Sequence, residues 1–115
     1  MTSGIQFEQG EIVIVPFPFS DLTNIKQRPV LILSKNSDNL ESEDVITCGI
    51  TSNLKNAKHS ILIENKDLLY GTIPIKSRIK VDKIFTLDKA IIKKKVAKVN
   101  TEIFEKTKQE FFRLI

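Results

Sequence analysis

The sequence is short of the groups that most often carry catalysis. Its 115 residues include one cysteine, Cys48, one histidine, His59, one tyrosine and no tryptophan. A single cysteine excludes an internal disulfide and a cysteine-based zinc cluster. Cys48 stands among strand formers in "VITCGITS", where a free thiol is expected to be buried and structural. No histidines or carboxylates have metal-ligand spacing, so neither a metal nor another cofactor is implied. The four glycines form no phosphate-binding loop. No apolar run approaches the length of a membrane span, and the N-terminus has no signal-peptide pattern. The expectation is a cytoplasmic protein with no membrane partner. His59, next to a lysine in "NAKHS", reads as a surface histidine.

What is present suits one domain over residues 1–115. The hydrophobic fraction is 41%, enough for a core and too much for a disordered chain. Net charge is +4, but its distribution is uneven. Residues 76–98 hold nine basic and two acidic side chains, so the rest of the chain is slightly acidic. A basic stripe suits a polyanion or an acidic protein partner. It equally suits a lysine-rich surface that discourages edge-to-edge aggregation.

The periodicities predict short strands. "GEIVIVPFPF" reads as a strand, followed by a loop over residues 20–27. "RPVLILS" is a second strand, apolar on both faces. "KNSDNLESED" reads as an acidic loop, "VITCGITS" and "HSILIE" as the third and fourth strands, and "NKDLLYG" as a turn or a short helical piece. In "TIPIKSRIKVDKIFTL", Ile73, Ile75, Ile79 and Val81 alternate with Lys76, Arg78, Lys80 and Asp82. "IIKKKVAKV" is a further strand with a lysine-rich edge. The period then changes. Ile103, Phe104, Thr107, Phe111, Leu114 and Ile115 fall on one helical stripe. Asn100 is placed to cap that helix, and Val99 to staple onto Phe104. Five or more strands with one closing helix predict a mainly β, partly open barrel rather than a sandwich.

The prolines are informative because proline has no backbone donor. Pro16 and Pro18 share parity, so one side of the first strand cannot be fully paired there. Pro29 drives Arg28 into an extended conformation. The prolines therefore fix both ends of a loop and aim an arginine.

The remaining polar groups lie at strand ends. A planar, permanently charged guanidinium suits phosphate, although Arg28 alone also fits a capping or ion-pair role. Thr51 and Ser52 fit a turn. Together with the basic stripe, these residues make phosphate chemistry a candidate on a small basic barrel.

"GEIVIVPFPFSDLTNIKQRPVLILS", "ITS" and "VDKIFTLDK", in that order, resemble the MazF/PemK toxins of type II toxin–antitoxin pairs. The resemblance runs from about Gly10 to the C-terminal helix. It implies an SH3-like barrel that forms a homodimer. It implies a metal-independent, sequence-specific endoribonuclease that cuts single-stranded RNA to a cyclic phosphate and a 5′-hydroxyl, inhibiting translation and growth. It also implies an antitoxin with a disordered acidic segment, and contact with DNA only through the toxin–antitoxin complex. Carried over by position, the family's R-P arginine is Arg28 and its T-S threonine is Thr51, both catalytic. Asp82 and Glu11 are the acid–base candidates. Ser20, Lys26, Gln27, Ser52, Arg78 and Lys80 would bind RNA. One branch of the family has an arginine where this chain has Lys80, two residues before Asp82. The alternative on the same fold is a non-enzymatic, CcdB-like toxin that binds DNA gyrase. The R-P and T-S pairs favour the nuclease.

Overall fold

The structure is a computed structural model that describes residues 6–18 and 25–115. Seven antiparallel strands form one curled sheet: β1 (Glu11–Pro18), β2 (Ile25–Ile32), β3 (Asp44–Thr51), β4 (Ser60–Ile63), β5 (Leu68–Gly71), β6 (Ser77–Asp88) and β7 (Lys94–Val99). Their spatial order is β4-β6-β3-β2-β1-β7-β5. A short helix, α1 (Asn36–Glu41), joins β2 to β3, and α2 (Thr101–Leu114) closes the chain. This is the expected mainly β half-barrel with a C-terminal helix.

Alternation along β1 and β2 serves two apolar clusters. Ile12 and Leu31 enter one with Cys48, Ile79, Val81, Ala97, Val99 and Ile103. Val13, Val15, Val30 and Ile32 enter the other with Phe7 and Val45. Both strands are thus buried on two faces, as the apolar "RPVLILS" predicts. Cys48 is fully buried. Burial, and then the charge of Asp82, push its thiol up to about 12, so it remains protonated and structural.

The prolines fit their places in the ladder. Ile14 O accepts from Lys93 N at 2.8 Å, and Gly10 O accepts from Val99 N at 3.0 Å. Even-numbered residues of β1 therefore turn their polar groups toward β7. Pairing with β7 ends at Ile14, whereas pairing with β2 continues to Pro18. The missing donors of Pro16 and Pro18 fall where β7 has gone. β1 is not an edge strand overall; only its second half has a free side.

Several sequence expectations need correction. The first loop is shorter than residues 20–27, because β2 already begins at Ile25. The acidic "loop" contains α1, which has no side-chain cap. It is held by the buried amide of Asn39, which donates to Phe7 O at 3.1 Å and Ser34 O at 3.0 Å. "NKDLLYG" splits into a 3₁₀ turn over Asn65–Asp67 and the strand β5. β7 lies between β1 and β5 and is not an edge. Ile75 is exposed rather than buried with Ile73, Ile79 and Val81. On α2, Ile103 and Thr107 are buried and Phe104, Phe111 and Leu114 pack on the core, but Ile115 is exposed. The Asn100 cap is present, its Oδ1 accepting from Ile103 N at 2.8 Å, and Val99 and Phe104 share one cluster.

His59 is not simply a surface residue. Its Nδ1 lies 2.8 Å from Glu110 Oε2 and ties α2 to the segment before β4. An ionised carboxylate only accepts, so Nδ1 carries the hydrogen.

Two predictions follow from this packing. Gly71 has φ of +80°, and a Cβ there would lie 2.6 Å from Ala97 Cα and closer still to Val96 O. Both neighbours are backbone and cannot yield. Gly71→Ala should destabilise the fold by about 2 kcal/mol, read as a fall in Tm of roughly 10 °C; a Tm within about 2 °C of wild type would contradict it. The second prediction concerns acid. The His59 hydrogen bond, followed by Arg113, holds the Glu110 carboxyl below the usual value of 4.5. A lowered folded-state pKa gives stability that is complete above the usual carboxylate range and is lost as pH falls through the folded value. Glu110→Gln should therefore lose less Tm than wild type between about pH 5 and about pH 3. Equal losses would show that this carboxylate does not carry the acid sensitivity.

Candidate active site

A cleft of about 460 Å³ opens where β2 and β3 separate, lined by residues of β1, β2, β3 and β6 and of the segment after β3. Its origin is Pro29. The β2–β3 ladder runs through Ile32↔Thr47, Leu31↔Cys48 and Val30↔Gly49, and then stops. Leu33 N donates to Ile46 O at 2.8 Å, so odd-numbered residues of β2 turn their polar groups toward β3. The next residue of that parity to meet β3 is Pro29, which has no N–H to give Ile50. The strands part there. Arg28 and Pro29 line one wall of the gap, and Gly49, Ile50 and Thr51 line another.

β6 supplies the third wall through a bulge. Gly49 pairs with Lys80 and Cys48 with Ile84, so residues 81–83 have no partners on β3. In a regular strand, Lys80 and Lys83 would face opposite ways. The bulge resets the alternation, and Lys80, Lys83 and Phe85 all line the cleft. The same reset overturns the expectation that Lys80 and Asp82 share one face. Asp82 is exposed and is not among the lining residues.

Past β3, Thr51 Oγ1 accepts from Asn53 N at 3.1 Å, and Asn53 Oδ1 accepts from Lys55 N at 3.0 Å. These two turns bring Asn53 and Lys55 into the lining. The Thr51 hydroxyl keeps its hydrogen for a ligand. The rings of Phe17 and Phe85, both in the lining, lie 5.1 Å apart and tilted by 53°. Arg28, Lys55, Lys80 and Lys83 place four cations around this aromatic pair, and no acidic side chain is among the described lining residues.

Of the expected site residues, Arg28, Thr51 and Lys80 meet in the cleft. Ser52 is exposed next to Thr51, and Lys26 and Gln27 are exposed on β2. Ser20 lies outside the described residues. Arg78 is engaged in structure: it donates from Nε to Leu54 O at 3.2 Å and from Nη1 to Ser60 Oγ at 3.1 Å. Glu11 is removed from the site altogether. It is 1% exposed and six residues before Phe17, about 20 Å along the strand. It accepts from Glu8 N at 2.8 Å and from the Tyr70 hydroxyl, and Lys95 Nζ lies 3.3 Å away. A buried carboxylate needs such partners to stay charged. Burial and the bond to Glu11 raise the Tyr70 pKa.

The basic stripe is likewise divided. Only Lys80 and Lys83 reach the cleft. Lys95 and Lys98 pair with Glu11 and Glu8, the latter at 2.8 Å, and Lys89 donates to Asn39 O at 2.6 Å. Lys55, Lys83 and the two phenylalanines were not legible as site residues. The "FPF" and "IFT" segments carry aromatics, but only the bulge brings them together.

Among the described residues, no group of three or more His, Cys, Asp or Glu is placed to hold a metal. No helix among them is long and apolar enough to cross a membrane.

The fold has solved counterparts. An endoribonuclease from a mycobacterial species, solved with its cognate antitoxin, is 18% identical with a TM-score of 0.76, covering 92% of this chain and 91% of its own. The MazE–MazF complex of Deinococcus radiodurans is 16% identical with a TM-score of 0.78, covering 96% of each chain. The Mycobacterium tuberculosis toxin MazF-mt6 is 16% identical with a TM-score of 0.72, covering 90% of this chain and 93% of its own. Among curated proteins, none matches the sequence. The family described as PemK-like, MazF-like toxin of type II toxin-antitoxin system matches residues 8–115. That span takes in all seven strands, both helices and every wall of the cleft, and the chain belongs to this toxin family.

Proposed function

We propose that the cleft is the active site of a metal-independent endoribonuclease that cuts single-stranded RNA and so inhibits translation in the cytoplasm. The observation that carries this reading is the meeting of Arg28 and Thr51, from different strands, in one cleft with Lys55, Lys80 and Lys83. In the proposed reaction the RNA 2′-oxygen attacks the adjacent phosphorus. The P–O5′ bond breaks, its electron pair leaves with the 5′-oxygen, and that oxygen takes a proton from solvent, leaving a 2′,3′-cyclic phosphate and a 5′-hydroxyl. Negative charge grows on the phosphoryl oxygens, and a cation fixed in advance stabilises it most at that point. Arg28 grips two of those oxygens with its planar fork. The Thr51 hydroxyl donates to the phosphate and sets the line of attack. A threonine hydroxyl is too weak a base to take the 2′-proton. The Arg28 guanidinium favours the ionised 2′-oxygen, and Asp82, beside Lys83 on the bulge, takes the proton by way of solvent. Glu11 has no part, because it is spent on Tyr70 and Lys95.

Four cations and no carboxylate among the described lining residues disfavour a divalent metal, which supports the metal-free reading. Phe17 and Phe85 offer apolar ring surface to unstacked bases, and Lys26, Gln27 and Ser52 flank the strand's path. The same cations suit an antitoxin whose disordered acidic segment occupies the cleft and excludes RNA. Two of the solved structures of similar fold are complexes with an antitoxin or MazE partner. The working form in this reading is a homodimer. No observation favours a gyrase-binding role.

The decisive test is Arg28. In excess chelator, wild type should cut single-stranded RNA. Arg28→Ala should cut it more slowly by on the order of 10²–10³-fold, with a stability change of at most about 1 kcal/mol. Arg28→Lys should not recover the rate, because an ammonium lacks the bidentate fork. Cleavage by Arg28→Ala within about threefold of wild type would remove the arginine from the mechanism. The cations are tested by salt. Four phosphate contacts to a single strand set a slope of log K against log salt of about −3, and Lys83→Ala should reduce it by about 0.7. A binding constant indifferent to salt would show that these lysines do not touch phosphate.

A further inference from the structure

His59 has φ of 57° and is the one non-glycine residue with positive φ among those described. That conformation is unfavourable for any residue with a Cβ. Two bonds hold it there. Nδ1 donates to Glu110 Oε2 at 2.8 Å, and Glu110 is itself held by Arg113 at 2.9 Å. The His59 carbonyl accepts from Val81 N at 3.0 Å, and Val81 is the first residue of the β6 bulge.

His59 also ends the segment 52–59, whose Asn53, Lys55 and Ala57 line the cleft. The far side of that segment is closed by Ser60 Oγ donating to Ala57 O at 2.6 Å and by Arg78 donating to Leu54 O and Ser60 Oγ. One strained residue therefore joins α2, the bulge that turns Lys80 and Lys83 inward, and the loop that carries Lys55. Strain persists only where surrounding contacts over-determine it, and such places concentrate where geometry matters to function. His59 itself does not line the cleft, so it acts through other residues.

We propose that His59, clamped by Glu110, is a positioning residue that fixes the 52–59 loop and the β6 bulge so that Lys55, Lys80 and Lys83 meet successive phosphates of single-stranded RNA. This rests on the ribonuclease reading above. The clamp arranges contacts made to substrate and transition state alike, so its loss raises KM and leaves kcat nearly unchanged.

Three variants separate the clamp from a merely structural role. His59→Gly keeps the backbone conformation without steric cost and removes the clamp. His59→Asn tolerates the same conformation and returns an N–H donor near the place of Nδ1. Glu110→Ala removes the acceptor and leaves His59 in place. With a single-stranded RNA oligonucleotide that wild type cuts, KM should rise about fivefold in His59→Gly and Glu110→Ala, with kcat within about twofold. His59→Asn should keep KM near wild type. The double variant His59→Gly/Glu110→Ala should be no worse than either single, because both remove one interaction. Amide hydrogen exchange at Lys55 and Val81 should quicken in His59→Gly. An unchanged KM in folded His59→Gly overturns the proposal, as do additive losses in the double variant or unchanged exchange. Should the glycine variant not fold, Glu110→Ala decides by the same readouts. If wild type cuts no RNA, the cleavage reading fails instead. Exchange, with binding of the same oligonucleotide in place of KM, then upholds or overturns the clamp.

Discussion

The missing backbone donor of Pro29 is the constraint on which the site depends. A β-ladder is held by alternate N–H groups, and one absent donor at the right parity is enough to end it. β2 pairs with β3 until Pro29 would have to donate to Ile50, and there pairing stops. Pro16 and Pro18 act likewise on the other side of the hairpin, where β7 ends at Ile14. The hairpin of β1 and β2 therefore extends beyond both of its neighbours. Its protruding end carries Phe17 and Arg28, and the gap beneath it is the cleft. An opening made this way is inexpensive. No buried donor is left unsatisfied on the proline side, and the apolar stretch before it remains packed on both faces.

Charge is partitioned between structure and site. The sheet uses Glu11, Glu8, Lys95 and Lys98 in a partly buried network at the β1–β7–β5 side. Each of these cations has a carboxylate partner, and the buried carboxylate is further hydrogen-bonded, as a charge out of water requires. The cleft gathers four cations, with no acid among the described lining residues, and it opens to solvent. Like charges held together in water repel only weakly, so their grouping is tolerable there. It becomes useful when a polyanion arrives.

This partition explains what the sequence could and could not disclose. A run of lysines over residues 76–98 reads as one stripe because sequence gives position along the chain, not direction across it. The fold sends its members to different places, some into the cleft and others into structural pairs. Period-2 patterning found the cores of β1, β2, β3 and β6, and period-3.6 patterning with the Asn100 cap found α2, because those signals are local. The helix α1 and the strand β5 were missed because neither has a local signal. The first is held by the buried Asn39 amide, and the second by β7 and by the Tyr70–Glu11 bond. Arg28 and Thr51 were legible from flanking proline and serine. Lys83 and Phe85 were not, because their direction depends on a bulge that no glycine or proline marks within β6 itself.

That bulge has a further consequence for the design of the barrel. β6 is twelve residues long and must satisfy two different partners. Its first half lies between β4 and β3, with Ile79 and Val81 in the core. Its second half has only β3 beside it, and Phe85 and Leu87 now take the alternate positions. One uninterrupted alternation would send either the core residues outward or the cleft residues inward. Three unpaired residues change the phase between the halves and leave amide groups that no longer have a ladder. Val81 N is not one of them: it turns toward β4 and donates to His59 O, one step beyond the Ser60↔Lys80 pair, on the residue whose backbone is strained and whose ring is tied to α2. The ladder that β6 keeps with β4 as far as His59 thus holds the strand where its pairing with β3 is interrupted, and Glu110 ties His59 in turn to the C-terminal helix.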